Sequence, residues 1–383
     1  MKLSHALSSL ALTLTTAAAF AACAAGNTPT TGTSGDTTTT GSNSGGAGGG
    51  ASTTTGGVTT SNGGSGGELF DAGHGGGGAQ GGSAPYLIYA HTNTTLYSLD
   101  PVAAALPLTQ IGNFDCVLKP GEMATPGKVS SMTDLAIDEN LAIWSVSSFA
   151  VHPITVTGST VHCGTPIPLS DPILMDKNKR FYSLSFAPTG VLDPAKEVLV
   201  AGNTAGELWA IDPAGKITQH GTLGNIPATD GHGHAYANYD PNVPKAWEIS
   251  GDIVFLSNNG KPVGFATVRD CPNPPSPTGC AQVDTLIEID MSKMAMAGAQ
   301  VVQKSLRGQV VKRAGCNDGV NASYGFLYGI ATWNDKVYGF GHEGNLVDIS
   351  LLDGSACLVK NYPASMFSGA AVTTVAPVTP PPS

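Results

Sequence analysis

The sequence predicts an all-β protein: a single β-propeller, with five four-stranded blades and a C-terminal strand that closes the first blade, preceded by a disordered linker. Three observations predict it. Two short strand signals recur five times each between residues 86 and 377. Their order leaves the first unit without an innermost strand and the last unit with nothing else. Composition also changes near residue 84, from Gly, Thr, Ser and Asn to alternating apolar and polar residues. The expected divisions are a signal peptide over 1–22, a linker over 23–84, the propeller over 85–377 and a Pro-rich tail over 378–383.

The first signal ends in an apolar residue followed by Asp. It reads Leu96-Tyr97-Ser98-Leu99-Asp100, Leu208-Trp209-Ala210-Ile211-Asp212 and Leu286-Ile287-Glu288-Ile289-Asp290. Leu346-Val347-Asp348-Ile349-Ser350 is a looser copy, and Val151-His152-Pro153-Ile154 the loosest. Each alternates and stops at a turn former, as a half-buried strand does. The second signal is a run of small and apolar residues beginning at Asp134, Ser183, Asp252, Gly329 and Gly369. Small residues suit the innermost strand of a blade, where all blades crowd the central channel. Further strands are expected at 141–146, 198–201, 262–268, 337–340 and 216–222. Four strands per unit is the propeller pattern. A two-sheet sandwich or two smaller β domains would give no reason for five copies of each signal. Residues 86–112 supply strands two to four, and 369–374 supply an innermost strand. Joined, they make one blade and hide the ring's open edges.

The N-terminal segment reads as an address. Lys2, an apolar run over 7–20 and small residues before Cys23 make a secretory signal, too short for a comfortable membrane span. Phe20-Ala21-Ala22-Cys23 resembles the bacterial lipobox, although Phe20 stands where an aliphatic residue is usual. Two readings follow: lipid attachment at Cys23, or ordinary cleavage after an Ala-x-Ala site. The linker has almost no large apolar residue. It would span about 40 Å on average as a flexible coil.

Of seven cysteines, Cys23 stands apart. The even remainder suggests three disulfides in an exported chain. Sequence layout favours Cys271 with Cys280 across a Pro-rich insertion, Cys316 with Cys357, and Cys116 with Cys163, one of fifteen connectivities. No C-x-x-C pair signals zinc or redox chemistry.

Charged residues are 12% of the chain and the formal net charge is −10. No dense basic stripe exists beyond Lys304, Arg307, Lys312 and Arg313, so nucleic acid is not an expected partner. No cofactor is expected, and a monomer is. Zincin and P-loop fingerprints are absent from the sequence.

In a propeller, the loops leading into innermost strands share a face with those joining strands two and three. Here the expected leading loops are long: 113–133, 170–181, 223–250, 306–328 and 361–368. The 271–280 insertion joins them, whereas 138–140 and 334–335 on the other face are tight. Long loops on one face are where scaffolds carry function. Candidate binding residues there are His232, His234, Tyr236 and Tyr239. The two histidines with acidic neighbours suit a divalent metal, but spacing fixes no third ligand; a glycine-broken loop with solvated histidines is the plainer reading. The tyrosines suit a sugar ring or a partner protein. Asp134, Asp252 and Glu248 should lie near the channel mouth, where a glycosidase would place its acids; strand-capping is the plainer role for the two aspartates.

Three elements, Leu96–Pro101 with its copy at 208–213, Ser250-Gly251-Asp252-Ile253-Val254, and the ending over 369–377, resemble a loose group of bacterial exported propeller lipoproteins, mostly uncharacterised. The resemblance implies the fold and a lipid-anchored place at the outer membrane or cell surface. It carries no activity. The expected function is binding of a protein or glycan through the long-loop face. The alternatives are a glycan hydrolase using Asp134, Asp252 and Glu248, and a plain structural spacer.

Overall fold

A computed structural model describes residues 86–377, except 126, 259, 273–278, 320 and 321. The predicted signal peptide, the linker with Cys23 and the tail lie outside the described residues. The described chain forms five antiparallel sheets arranged as a five-bladed propeller.

Each repeated signal falls where the sequence put it. The innermost strands are Asp134–Ile137, Phe181–Ala187, Glu248–Asn258, Leu327–Trp333 and Gly369–Ala371. The Leu-x-x-apolar-Asp copies are third strands: Thr95–Leu99, Ala150–Thr157, Glu207–Ile211, Asp284–Ile289 and Asn345–Ser350. In four blades the third strand is bulged against the fourth next to its leading leucine: Leu96, Leu208, Leu286 and Leu346. A bulge adds twist, so its recurrence bends these blades alike. The second blade differs. Its third strand also pairs with Ile167–Pro168, which makes a five-stranded sheet.

The first blade closes as predicted. Gly369, Ala370 and Ala371 pair with His91, Ala90 and Tyr89. Strand polarity then brings both described ends out on the face opposite the long loops. Tyr86 lies 6.5 Å from the Trp333 ring, and Asn334 donates its N–H to Pro377 at 2.8 Å.

Blades pack face against face, so their middle strands are buried on both sides. Ile143–Ser147 and Asp284–Ile289 have no exposed residue. Apolar side chains fill the gaps between neighbours: Trp144 with Phe181 and Phe186, Trp247 with Phe255 and Ile287, Phe340 with Phe367. All three expected disulfides form: Cys116–Cys163, Cys271–Cys280 and Cys316–Cys357. They mark a chain that matures in an oxidising compartment. No helix among the described residues is long and apolar enough to cross a membrane.

At two glycines the innermost strands approach so closely that no side chain fits. A Cβ on Gly251 would lie 2.1 Å from the Leu327 carbonyl oxygen, and one on Gly329 2.4 Å from Ala370 N. Gly329→Ala is therefore expected to cost about 3 kcal/mol through forced separation of two blades. Gly319→Ala, at a position with open space around it, should change stability by less than about 0.5 kcal/mol. Urea midpoints decide the point, and equal midpoints for the two variants would refute it.

Candidate functional site

Asp134 and Asp252 stand side by side at the ring's axis, both fully buried. Asp134 opens the innermost strand of blade two, and its Oδ2 accepts Leu184 N of blade three at 2.5 Å. Asp252 belongs to blade four. It accepts its neighbour Ile253 N at 2.6 Å, Ile330 N of blade five at 2.7 Å, and Ala370 N of blade one. One carboxyl pair thus ties all five innermost strands together. Burial first, then the Asp252 charge, raises Asp134 well above the usual carboxylate range, and burial raises Asp252 too. Asp134 Oδ1 faces no N–H or hydroxyl donor. A proton on that oxygen, donated to the N–H-loaded Asp252, satisfies both groups.

This geometry gives the two aspartates a structural task. Paired glycosidase carboxyls stand roughly 5–9.5 Å apart and reach substrate. These two share a hydrogen bond and have no exposure. Glu248, the third predicted acid, lines a separate cavity of about 190 Å³ with Lys179, Thr204, Trp247 and Cys271. Burial pushes its carboxyl up to about 7, against the pull of Arg269, its cross-strand partner.

The His232–Tyr239 loop is organised by Asp230. That carboxylate accepts the backbone N–H groups of His232 and His234, the N–H of Gln309 and a bond from His234 Nδ1 at 2.6 Å. Burial would raise it, but these hydrogen bonds prevail and lower it. His232 Nε2 turns instead to the Arg307 carbonyl at 2.8 Å. The two rings therefore serve different partners and converge on no common point. Tyr236 belongs to the core: its ring meets Trp247 edge-on at 5.0 Å and its hydroxyl bonds Thr285. Tyr239 alone of the four presents an exposed aromatic side chain. Two groups of three potential metal ligands occur among the described residues, Asp115 with Cys116 and Cys163, and Glu248 with Cys271 and Cys280. Both depend on disulfide sulfurs, which offer no thiolate.

The site that the structure assembles is the funnel above the carboxyl pair, a cavity of about 390 Å³. All five blades line it, through the residues just before or at the start of each innermost strand and, in four blades, the end of the second strand or the turn after it. Blade one gives Ser368 and Asn93, joined by a 2.7 Å hydrogen bond. Blade two gives Ser131 and Thr133, and blade three Tyr182 and Thr204. Blade four gives Ser250, Gly251 and Arg269, and blade five Tyr328 and His342. Thr133 and Gly251 directly precede Asp134 and Asp252, so the buried pair lies under the floor. A larger cleft of about 640 Å³ lies beside Cys316–Cys357, but a single blade's own loop and outer strand form it.

No protein-family model matches the chain, and no curated protein matches it. Among solved structures it is similar to a protein of unknown function from Bacteroides caccae, with 9% identity, a TM-score of 0.34 and coverage of 76% of this chain and 99% of that one. It is also similar to the Dos1 propeller, with 10% identity, a TM-score of 0.31 and 73% and 57% coverage. U3-55K gives 10% identity, a TM-score of 0.31 and 71% and 59% coverage.

Proposed function

We propose that this chain is an exported, lipid-anchored binding module that takes a glycan or protein partner into the funnel on its long-loop face, without catalysis. The observation that carries the reading is the funnel itself. Five blades converge there on one cavity whose lining is hydroxyl, amide, aromatic and guanidinium groups. Such mixed concave sites are the usual seats of ligands. The acids that a hydrolase would need are occupied elsewhere: Asp134 and Asp252 in holding the ring, Glu248 in a neighbouring cavity. Pairing of the other six cysteines supports lipid attachment at Cys23, since it leaves that residue as the odd thiol.

Filling the funnel tests the binding reading. Ser131→Trp and Thr204→Trp, at half-buried lining positions, should lower retention on a glycan array or on immobilised envelope fractions at least tenfold while the melting temperature stays put. Undiminished retention by both variants would remove the funnel from the account. Mass spectrometry of the mature N-terminus tests the anchor, with a diacylglyceryl Cys23 expected.

A further inference from the structure

We propose that the funnel is a subsite for an acidic sugar residue, whose carboxylate Arg269 receives and whose ring lies against Tyr328. The inference rests on the funnel being the ligand site, as argued above, and names the chemistry of its occupant.

Arg269 is the one formally charged side chain among the described residues that line the funnel. It ends the second strand of blade four, Lys261–Arg269, and so points from a rigid ladder rather than a loop. Its guanidinium lies 4.9 Å over the Phe326 ring. Phe326 holds a left-handed backbone, at φ 54°, which is unusual for an aromatic residue. That conformation persists because its neighbours impose it, and it sets the platform on which the guanidinium rests. Arg269 makes no ion pair among the described residues, and its buried Nε has no acceptor. The Arg269 charge is felt by Glu248 across the strand and by Asp284, but neither pairs with it, so the unmatched buried Nε is left for a ligand's anion to meet. The planar guanidinium fork fits a carboxylate with two parallel hydrogen bonds.

The rest of the lining selects the frame that bears the carboxylate. Tyr328 is fixed edge-on to Phe326 at 6.2 Å and tilted on His342 at 5.1 Å, so its ring position is set before a ligand arrives. Ser131 presents a short hydroxyl, those of Thr133, Thr204 and Ser250 donate to Val146, Asn178 and Asp284 and can still accept, and Ile249 is the one aliphatic residue of the described lining. Many hydroxyls, an aromatic plane and almost no aliphatic surface suit a polyhydroxylated ring better than a peptide side chain. A single cation without a second one or a helix terminus suits a monoanion better than a phosphate. The volume, near the low end for ligand sites, suits a short glycan segment.

Calorimetric titration of the full chain with galacturonate and glucuronate, with galactose and glucose, and with acetyl-Ala-Ala tests the proposal. A uronate should bind at least tenfold tighter than its neutral parent and than the dipeptide. Arg269→Gln should abolish that preference, lowering uronate affinity at least tenfold; Tyr328→Leu should weaken acid and neutral sugar together. The acid-to-neutral ratio in the unmodified protein needs no variant, so misfolding of a variant cannot hide the answer. Equal affinity for acid and neutral sugar, tighter binding of the dipeptide, or no sugar binding at all would each overturn the acidic-sugar subsite. If the Trp-filled variants lose array retention while Arg269→Gln retains it in full, the binding module stands and this subsite falls.

Discussion

Asp252→Ala is expected to cost the ring about 3–5 kcal/mol, and Asp134→Asn less than about 1 kcal/mol, although the two residues touch and are equally buried. The difference follows from the direction of each hydrogen bond. Asp252 accepts from Ile253, Ile330 and Ala370. Its loss strands N–H groups of three innermost strands, each costing about 1–3 kcal/mol when buried and unmet, less what relaxation recovers. Asp134 accepts Leu184 N with one oxygen, and burial favours a proton on its carboxyl, for which the other oxygen is free of N–H donors. An asparagine reproduces both functions, oxygen for oxygen and amide for hydroxyl. Asp252→Asn should fall between them, because one of its two accepting oxygens becomes a donor facing backbone N–H.

The same pair makes stability depend on pH with a defined sign. A carboxyl raised in the fold keeps a proton that the unfolded chain releases. Its stabilisation is full below the unfolded value of about 3.9 and is lost as pH climbs toward the folded value. Glu197 and Glu248, pushed up to about 7 by burial, and Asp284, pushed up to about 6, act in the same direction. His91 and His152, lowered to about 4 by burial, oppose them below pH 6.5. The comparison of wild type with Asp134→Asn isolates one proton. Above the unfolded value of about 3.9 the wild type should lose stability relative to the variant as pH rises, by at most about 1.4 kcal/mol per pH unit. Chemical denaturation at several pH values measures this, and parallel profiles would show that no proton is held.

Truncation after Ser368 is expected to abolish cooperative unfolding altogether. It removes the strand paired with His91, Ala90 and Tyr89 and the buried residues Val372, Thr373, Thr374 and Ala376. It also takes away Ala370 N, one of the donors to Asp252, and the Thr374 carbonyl that accepts Ser257 N. The loss exceeds about 5 kcal/mol, comparable to the whole margin of a typical domain, and it bares the Ile88–His91 edge to intermolecular pairing. A synthetic peptide spanning 366–377 should restore the transition in trans. Deletion of 24–83 should move the melting temperature by less than about 2 °C. Similar melting curves for both deletions would contradict the closure.

The fold was legible because a propeller writes its geometry into repeats. Leu96, Leu208, Leu286 and Leu346 recur at one place in successive blades, and each marks the same bulge. The small residues Gly251, Gly329 and Gly369 lie in innermost strands where a Cβ would meet a neighbouring strand. Disulfide pairing was legible too, because each pair brackets one insertion or blade. The site was not. His232 and Tyr236 stood out by residue type, but a loop motif does not reveal that Asp230 collects its backbone or that Trp247 takes its tyrosine. Asp134 and Asp252 were expected near the channel mouth, and whether they are exposed there depends on how far the strands descend below the loops, which no local motif records; the structure buries both. The funnel residues carry no local motif. Tyr182, Tyr328, Arg269 and His342 share only a register, at the head of an innermost strand or at the end of a second strand or the turn after it. Lining up the blades strand by strand would have selected them.

The placement of both described ends has a practical consequence. Tyr86 and Pro377 leave the ring by the Trp333 side, away from the funnel. A biotin, a fluorophore or a sensor-chip linkage at either end therefore leaves the mouth of the funnel open to solution. Immobilised protein should titrate with the same affinity as free protein. The adjacency of the ends also suits circular permutation: a short splice there, with new ends cut in an outer loop, would turn the split blade into a continuous one.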